Sequence, residues 1–369
     1  MKISARMMTV PALLFALAAC SSEGSGNRTI IKEPGMTITV IDDAGSRTGE
    51  PGVSVEKMDR LDGTEIMDWV DESTVVVSKE NESLGRMALA ELADSYPRSL
   101  YLYDLDTRQY TLLQQRKNLN IGGAVLSPDK KRLIYHEYSL GDPVYSVMNL
   151  DTLDSFRLTG DPIGGAVSAN WADSETIVGA AYSGGAYIAT SEGRIAAIDQ
   201  LEETGLILVE KVGDILYYNT LADESLKALN LVTLEKTSLN LDRVIKALPS
   251  PDGRQLLALQ INGSRTSLLL CDANGENRKT IAEGTELSGI SWSPDQRMIA
   301  YGLNADASGT AAKGLYLYDM LTDESVRIAV DIEPAATSWS PSGQRLAYTE
   351  WNAKPYRSGI VQLHYSLRK

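Results

Sequence analysis

The chain reads as an all-β protein, a seven-bladed β-propeller of four-stranded antiparallel blades closed by an N-terminal strand. Three observations carry that reading. Seven segments of alternating apolar residues each run into one polar residue and a turn, at 100–104, 145–149, 186–190, 226–230, 268–272, 315–319 and 360–364. Their ends are spaced by 45, 41, 40, 42, 47 and 45 residues. A period of this length on β-branched and aromatic strands marks propeller blades. In phase with them, Ser-Pro-Asp or Ser-Pro-Ser turns begin at Ser127, Ser250, Ser293 and Ser340. The last repeat has room for only three strands before the chain ends. Six or eight blades are the alternatives, and the fourth repeat is the weakest match.

Each unit runs as strand, turn, strand, loop, strand, turn and outer strand. Trp69, Trp171, Trp292 and Trp339 end the first strands of their blades, where a large ring fills space between neighbouring sheets. In the Pro turns, Pro presets φ, Asp or Ser bonds back to the local backbone, and Gly takes positive φ. Blades one and three carry polar turns of similar length instead, at 70–74 and 172–176, and blade four turns at 211–214. The Asp and Asn residues ending the third strands are turn formers. Upstream of blade one, residues 53–57 and 37–41 both alternate as strands do. The nearer is expected to complete blade seven, whose open edge would otherwise invite aggregation.

Ser-Pro-Asp-Gly, then Leu-Ala-Tyr, then Leu-Tyr-Leu-Tyr-Asp together resemble the TolB-like, WD-repeat-like class of propeller repeats, over roughly residues 50–369. The resemblance implies the fold and little about function. Such repeats occur in periplasmic binding proteins, surface lipoproteins and gating domains of peptidases. TolB's additional α/β domain has no room here, so its role and partners do not carry over.

At the N-terminus, Lys2 and Arg6 precede an apolar run over 7–19. The run is too short to span a membrane and reads as a cleaved signal peptide, residues 1–19. Leu-Ala-Ala-Cys at 17–20 resembles the lipobox of bacterial lipoproteins, which implies a diacylglyceryl group on the Cys20 thiol and cleavage before it. Two or three acyl chains hold a protein firmly where one binds marginally. Residues 20–36 are then an anchored tether and 37–369 the propeller. The expected location is extracytoplasmic, at the outer face of the cell membrane or in an outer membrane.

Lys plus Arg total 35 against 49 Asp plus Glu, a net charge of −14. That balance disfavours nucleic acid and extended contact with anionic lipid. The second cysteine, Cys271, takes a third-strand position beside Tyr103, Met148 and Tyr318 in their own blades, as a small apolar residue. No Gly-x-Ser-x-Gly, His-Glu-x-x-His, Walker loop or Cys-x-x-Cys occurs, and His136 and His364 are the only histidines. No catalytic residue, metal site or cofactor is therefore expected. The run 272–277 has a calcium-loop look, but its Asn-Gly is a hairpin signal.

Loops joining second to third strands gather on one face of a propeller, and this chain decorates them unevenly. Blade one carries 79–98, with a short helix expected over 84–92, and blade six carries 302–314. Blade two offers His136 and Tyr138, and blade seven offers Trp351, Tyr356 and Arg357. Aromatic and charged loop residues over a rigid scaffold are where binding concentrates. The reading is a monomeric, non-catalytic envelope lipoprotein that binds an unknown protein or envelope component through this face. The alternatives are an extracytoplasmic lyase or glycan hydrolase with funnel carboxylates, and a small-ligand or sugar sensor. Two carboxylates about 5–10 Å apart at the funnel would favour the enzyme. A broad apolar patch would favour a protein partner.

Overall fold

Six repeats each fold as one antiparallel sheet whose four strands lie in chain order, and a seventh sheet joins three strands from the C-terminal side to one from the N-terminal side. The computed structural model describes residues 28–33, 36–41, 52–304, 312–351, 353 and 355–366. Cys20 and the expected signal peptide lie outside the described residues. Blade one is built from Thr64–Trp69, Thr74–Glu80, Arg98–Asp104 and Tyr110–Gln114, the first being the inner strand. Blades two to six occupy 120–157, 170–197, 206–238, 244–284 and 286–330. Blade seven takes Ala335–Trp339, Arg345–Glu350 and Arg357–Tyr365 from the C-terminal end.

Its fourth strand is Val53–Arg60, which pairs with Arg357–Tyr365 from Val53 opposite Tyr365 to Arg60 opposite Gly359. The nearer candidate thus closes the ring. Val53 and Met58 are buried in one core cluster with Met298, Leu315 and Leu317 of blade six, so closure adds packing as well as hydrogen bonds. The other candidate, 37–41, lies within Met36–Ile41, which pairs with Arg28–Glu33 in a separate hairpin. That hairpin includes part of the segment read as tether.

Seven clusters of buried residues form the core, one at each seam between neighbouring blades. A fully buried Leu, Ile or Val at such a seam contributes about 1.5–3 kcal/mol. The expected tryptophans end their inner strands, and three tie across the seam. Trp69 Nε1 donates to the Ser338 carbonyl at 3.1 Å, Trp171 to Val125 at 3.0 Å and Trp292 to Leu248 at 3.1 Å. Each acceptor lies on the inner strand of the preceding blade. Trp339 keeps the position, but its buried Nε1 has no partner.

The turns between first and second strands follow one scheme. Ser250 Oγ donates to Asp252 Oδ1 at 2.7 Å and accepts the Gln255 N–H at 3.0 Å. Ser127 and Ser293 make the same pair of bonds. The fourth position is left-handed, with φ 69° at Gly253 and 70° at Gly343. After the third strands, Asp104 Oδ1 accepts the Asp106 and Thr107 N–H groups, and Asn149 and Asn230 do likewise two and three residues on. In blade one the expected helix over 84–92 is replaced by two single turns, Glu82–Leu84 and Ala90–Leu92. Gly85, at φ 73°, ends the first, and Asn81 caps it by accepting the Ser83 N–H.

Candidate functional site

Because strands alternate in direction, the second-to-third loops and the blade-to-blade connections emerge at one end of the ring. There, blades seven and one border a cleft of about 840 Å³. Blade one supplies the insertion around Asn81 and Ser95, with Lys79, Arg98, Tyr101 and Tyr110, and blade seven supplies Trp351 and Tyr356. The insertion is held by Asn81, whose Nδ2 donates to Ser99 Oγ at 3.1 Å and Gln115 Oε1 at 3.0 Å.

Arg98 opens the third strand of blade one and is only 8% exposed. Its Nε donates to Ser78 Oγ at 3.1 Å, and Nη2 donates to the Ser78 carbonyl. Tyr356 presents its ring face to the guanidinium, 4.3 Å from centroid to carbon. Such a stacked, buried cation is stabilised by the ring quadrupole. Glu65, on the inner strand, approaches Nη2 to 3.9 Å. Burial raises the Glu65 carboxyl above the usual range, and Arg98 pulls the other way. Tyr138 is pushed up to about 12, first by burial and then by Tyr356 and Glu65, so it stays a neutral phenol. Lys79 Nζ sits 4.2 Å over the Tyr110 ring. Trp351 is 46% exposed, at the outer lip.

The structure brings Trp351 and Tyr356 together beside the blade-one insertion, with Tyr138 close to Glu65 and Arg98. His136 and Tyr138 lie on the second strand of blade two, Arg132–Tyr138, and not on the loop that follows it. The His136 ring rests on Gly123, at φ 58°, where any Cβ would collide with the imidazole. Burial lowers its pKa. Arg357 is tied to Glu350, Nη2 to Oε2 at 2.8 Å, and Glu350 also accepts the Glu333 N–H. Sequence reasoning missed Arg98, Glu65 and Lys79. A charged residue opening an otherwise apolar strand directly after Pro97 was the available signal for Arg98.

Elsewhere, burial pushes Glu210, on the inner strand of blade four, up to about 8, against the pull of Lys246 on the inner strand of blade five. Cys271 is buried, its thiol pushed up to about 11, and it packs in the seam between blades four and five. The 272–277 run forms the hairpin turn, with Gly275 at φ 81° and Asn277 Nδ2 donating to Asp272. Among the described residues no group of three or more His, Cys, Asp or Glu side chains could hold a metal ion.

Ring and seams together define the class: a seven-bladed β-propeller. No protein-family model matches the sequence, and no curated protein is significantly similar to it. Among solved structures, an oligogalacturonate lyase in complex with manganese overlays with a TM-score of 0.61 at 15% identity, over 92% of this chain and 96% of that one. An oligogalacturonate lyase from Vibrio parahaemolyticus gives 0.62 at 12% identity, over 92% and 97%. The propeller domain of Cps50 (Swd1) from Myceliophteria thermophila gives 0.55 at 13% identity, over 84% and 99%. At these identities the likeness is one of fold.

Proposed function

We propose that the protein is a lipid-anchored, extracytoplasmic binding module without catalytic activity, which receives a component of the cell envelope in the cleft between blades seven and one. One observation carries this reading: a buried Arg98 stacked on Tyr356, beneath an exposed Trp351, in a cleft framed by two rigid sheets. Nη1 of Arg98 has no hydrogen-bond partner among the described residues and is left to a ligand. Trp, Tyr and Arg dominate binding energetics because they desolvate large areas at modest entropy cost. Affinity capture from solubilised envelopes with the intact lipoprotein tests the reading. Trp351→Ala should lose the captured component while melting at the parent temperature, and Tyr356→Ala should lose it too, with a lower melting temperature because Arg98 loses its stacking ring. Equal capture by both would overturn it. Cys20→Ala should abolish fatty-acid labelling, and a labelled variant would remove the anchor from the proposal.

A second reading, an enzyme, is favoured by the raised Glu65 carboxyl beside Arg98 and Tyr138, a set able to hold or move a proton at the cleft floor. Two of the structures sharing the fold are oligogalacturonate lyases. Incubation with oligogalacturonate decides it: an unsaturated product that appears with the parent and not with Glu65→Gln would establish catalysis.

A further inference from the structure

We propose that a groove on the outer rim of the seam between blades seven and one binds a phosphate group. The closing strand of blade seven and the turn into the outer strand of blade one border it. It encloses about 320 Å³, at the lower end of small-molecule sites. The groove is separate from the cleft at the loop end of the same seam, since the two share no lining residue.

Its charged lining sets Lys57, Arg60, Arg108 and Arg345 against Asp59 and Asp106, on a chain whose net charge is −14. Asp59 is already paired with Lys57 at 2.7 Å. Three arginines then face one remaining carboxylate, Asp106. None of the three forms an ion pair among the described residues.

The fold does not require these cations. Arg108 is the left-handed residue of the turn after a third strand, at φ 59°, and its N–H donates to the Asp104 carbonyl. Leu153, Leu234 and Asp323 take the same conformation and the same backbone bond in blades two, four and six. An aliphatic or acidic side chain therefore serves the turn equally well. Arg60 ends the closing strand opposite Gly359, so no side chain directly across the ladder answers its charge.

Part of the groove is fixed before any ligand arrives. Arg345 Nε donates to Gln362 Oε1 at 2.8 Å, and Nη1 donates to the Glu72 carbonyl at 2.7 Å. Those bonds orient the guanidinium and leave Nη2 without a partner among the described residues. A preorganised donor loses little freedom on binding. Tyr103 and Ile360, 7% and 6% exposed, line the groove beneath the charges. A weakly polar floor strengthens the attraction of the arginines for an anion.

Charge and shape select the ligand class. A phosphate group brings about two negative charges and three acceptor oxygens, which guanidinium forks engage in pairs. A carboxylate brings one charge and two oxygens, and a cation would be repelled. The same phosphate chemistry is offered by inorganic phosphate or a soluble ester and by a phospholipid head group.

Calorimetric titration of the full-length protein with inorganic phosphate should show saturable binding. Acetate at equal ionic strength should bind about tenfold more weakly or not at all. Arg60→Gln and Arg108→Gln should each weaken phosphate binding about tenfold, because each removes a charge-assisted hydrogen bond. Arg108→Lys keeps the charge without the fork and should recover only part of the loss. Arg194→Gln, in the outer turn of blade three, and Trp351→Ala, in the cleft, should leave binding unchanged. Dihexanoyl phosphatidate, a water-soluble phospholipid, separates the sources. Binding about tenfold tighter than inorganic phosphate assigns a lipid head group, and equal or weaker binding assigns a free phosphate. No saturable binding by the parent, equal binding of acetate, or equal loss on Arg194→Gln would each overturn the assignment. Arg60, Arg108 and Arg194 are all exposed, so matched melting temperatures show that the variants are folded. Envelope capture through Trp351 is read separately, so the cleft and the groove fail independently.

Discussion

The two faces of the ring are wired differently. On the turn face, one side-chain oxygen accepts backbone N–H groups a few residues further on: Ser127, Ser250, Ser293 and Ser340 before the second strands, and Asp104, Asn149 and Asn230 after the third. On the loop face, side-chain caps such as Asn81 occur singly, and backbone-to-backbone bonds join separate segments, such as Gly185 to Glu203 and Val244 to Glu224. A local bond repeats whenever its residues repeat, so the turn face is conserved from blade to blade within this one chain. The loop face has no such template, and its side chains are free to differ. The envelope-binding cleft accordingly belongs to the second face, and stability to the first and to the seams.

The largest effect that could break this contrast concerns the strand that joins the two ends. Deleting 52–60 should abolish cooperative thermal unfolding, because blade seven loses a row of hydrogen bonds and the Val53 and Met58 contacts with blade six. A variant that still melted sharply near the parent temperature would show that closure is dispensable. Next comes the seam. Trp69→Ala should cost about 3–5 kcal/mol in denaturant titration. A finer version sharpens the point. Trp69→Phe forfeits the bond to Ser338, whereas Trp339→Phe forfeits none, since that Nε1 is unpartnered. Removing an unsatisfied buried donor relieves a desolvation cost. Trp339→Phe should therefore be the milder change of the two, and the reverse order would contradict the seam account.

Smaller still is a single turn bond. Ser293→Ala should cost about 1 kcal/mol, while Trp351→Ala on the loop face stays within about 0.5 kcal/mol. Equal losses would erase the division between faces.

Acid titration sets the faces in opposition. Asp252 is held below its usual pKa of 3.8, chiefly by the Ser250 hydroxyl and the Arg254 N–H. Its folded pKa is depressed, so its stabilisation is present above 3.8 and is lost as pH falls through the folded value. Glu65 is raised above 4.5 by burial. Its relative stabilisation is complete below 4.5 and is lost as pH rises through the folded value. Asp252→Asn should thus lose stability at neutral pH and converge with the parent in strong acid. Glu65→Gln should gain on the parent as pH climbs past 4.5. Denaturant melts at pH 2, 4 and 7 read both signs, and a shared sign would refute the opposition.

Sequence legibility follows the same line. The period, the Ser-Pro-Asp turns and the tryptophans could be read because each is a local signal repeated several times, and the nearer closing strand because its residues alternate and the last repeat lacks a fourth strand. The insertion over 79–98 occurs once. Its apolar 84–92 stretch suggests a helix, but Gly85 breaks it and Asn81 pins the chain to Ser99 and Gln115 instead. Arg98 was equally opaque, since its role depends on Tyr356, which is distant in sequence and adjacent only once the ring has closed. His136 and Tyr138 looked like loop residues because the second strand of blade two runs further than its apolar core, to Tyr138.

Pairing Val53 with Tyr365 also imposes an order of events. The first-made partner waits for the last-made one while six blades form, each from neighbours in sequence, and the closing strand stays an unpaired ribbon. The final contact is thus the one of greatest sequence separation, the kind that slows folding most. Timekeeping is built into the topology: the cleft between blades seven and one comes into being only when the last segment arrives. A chain stalled short of Arg357 therefore has no Trp351–Tyr356–Arg98 pocket to offer a ligand.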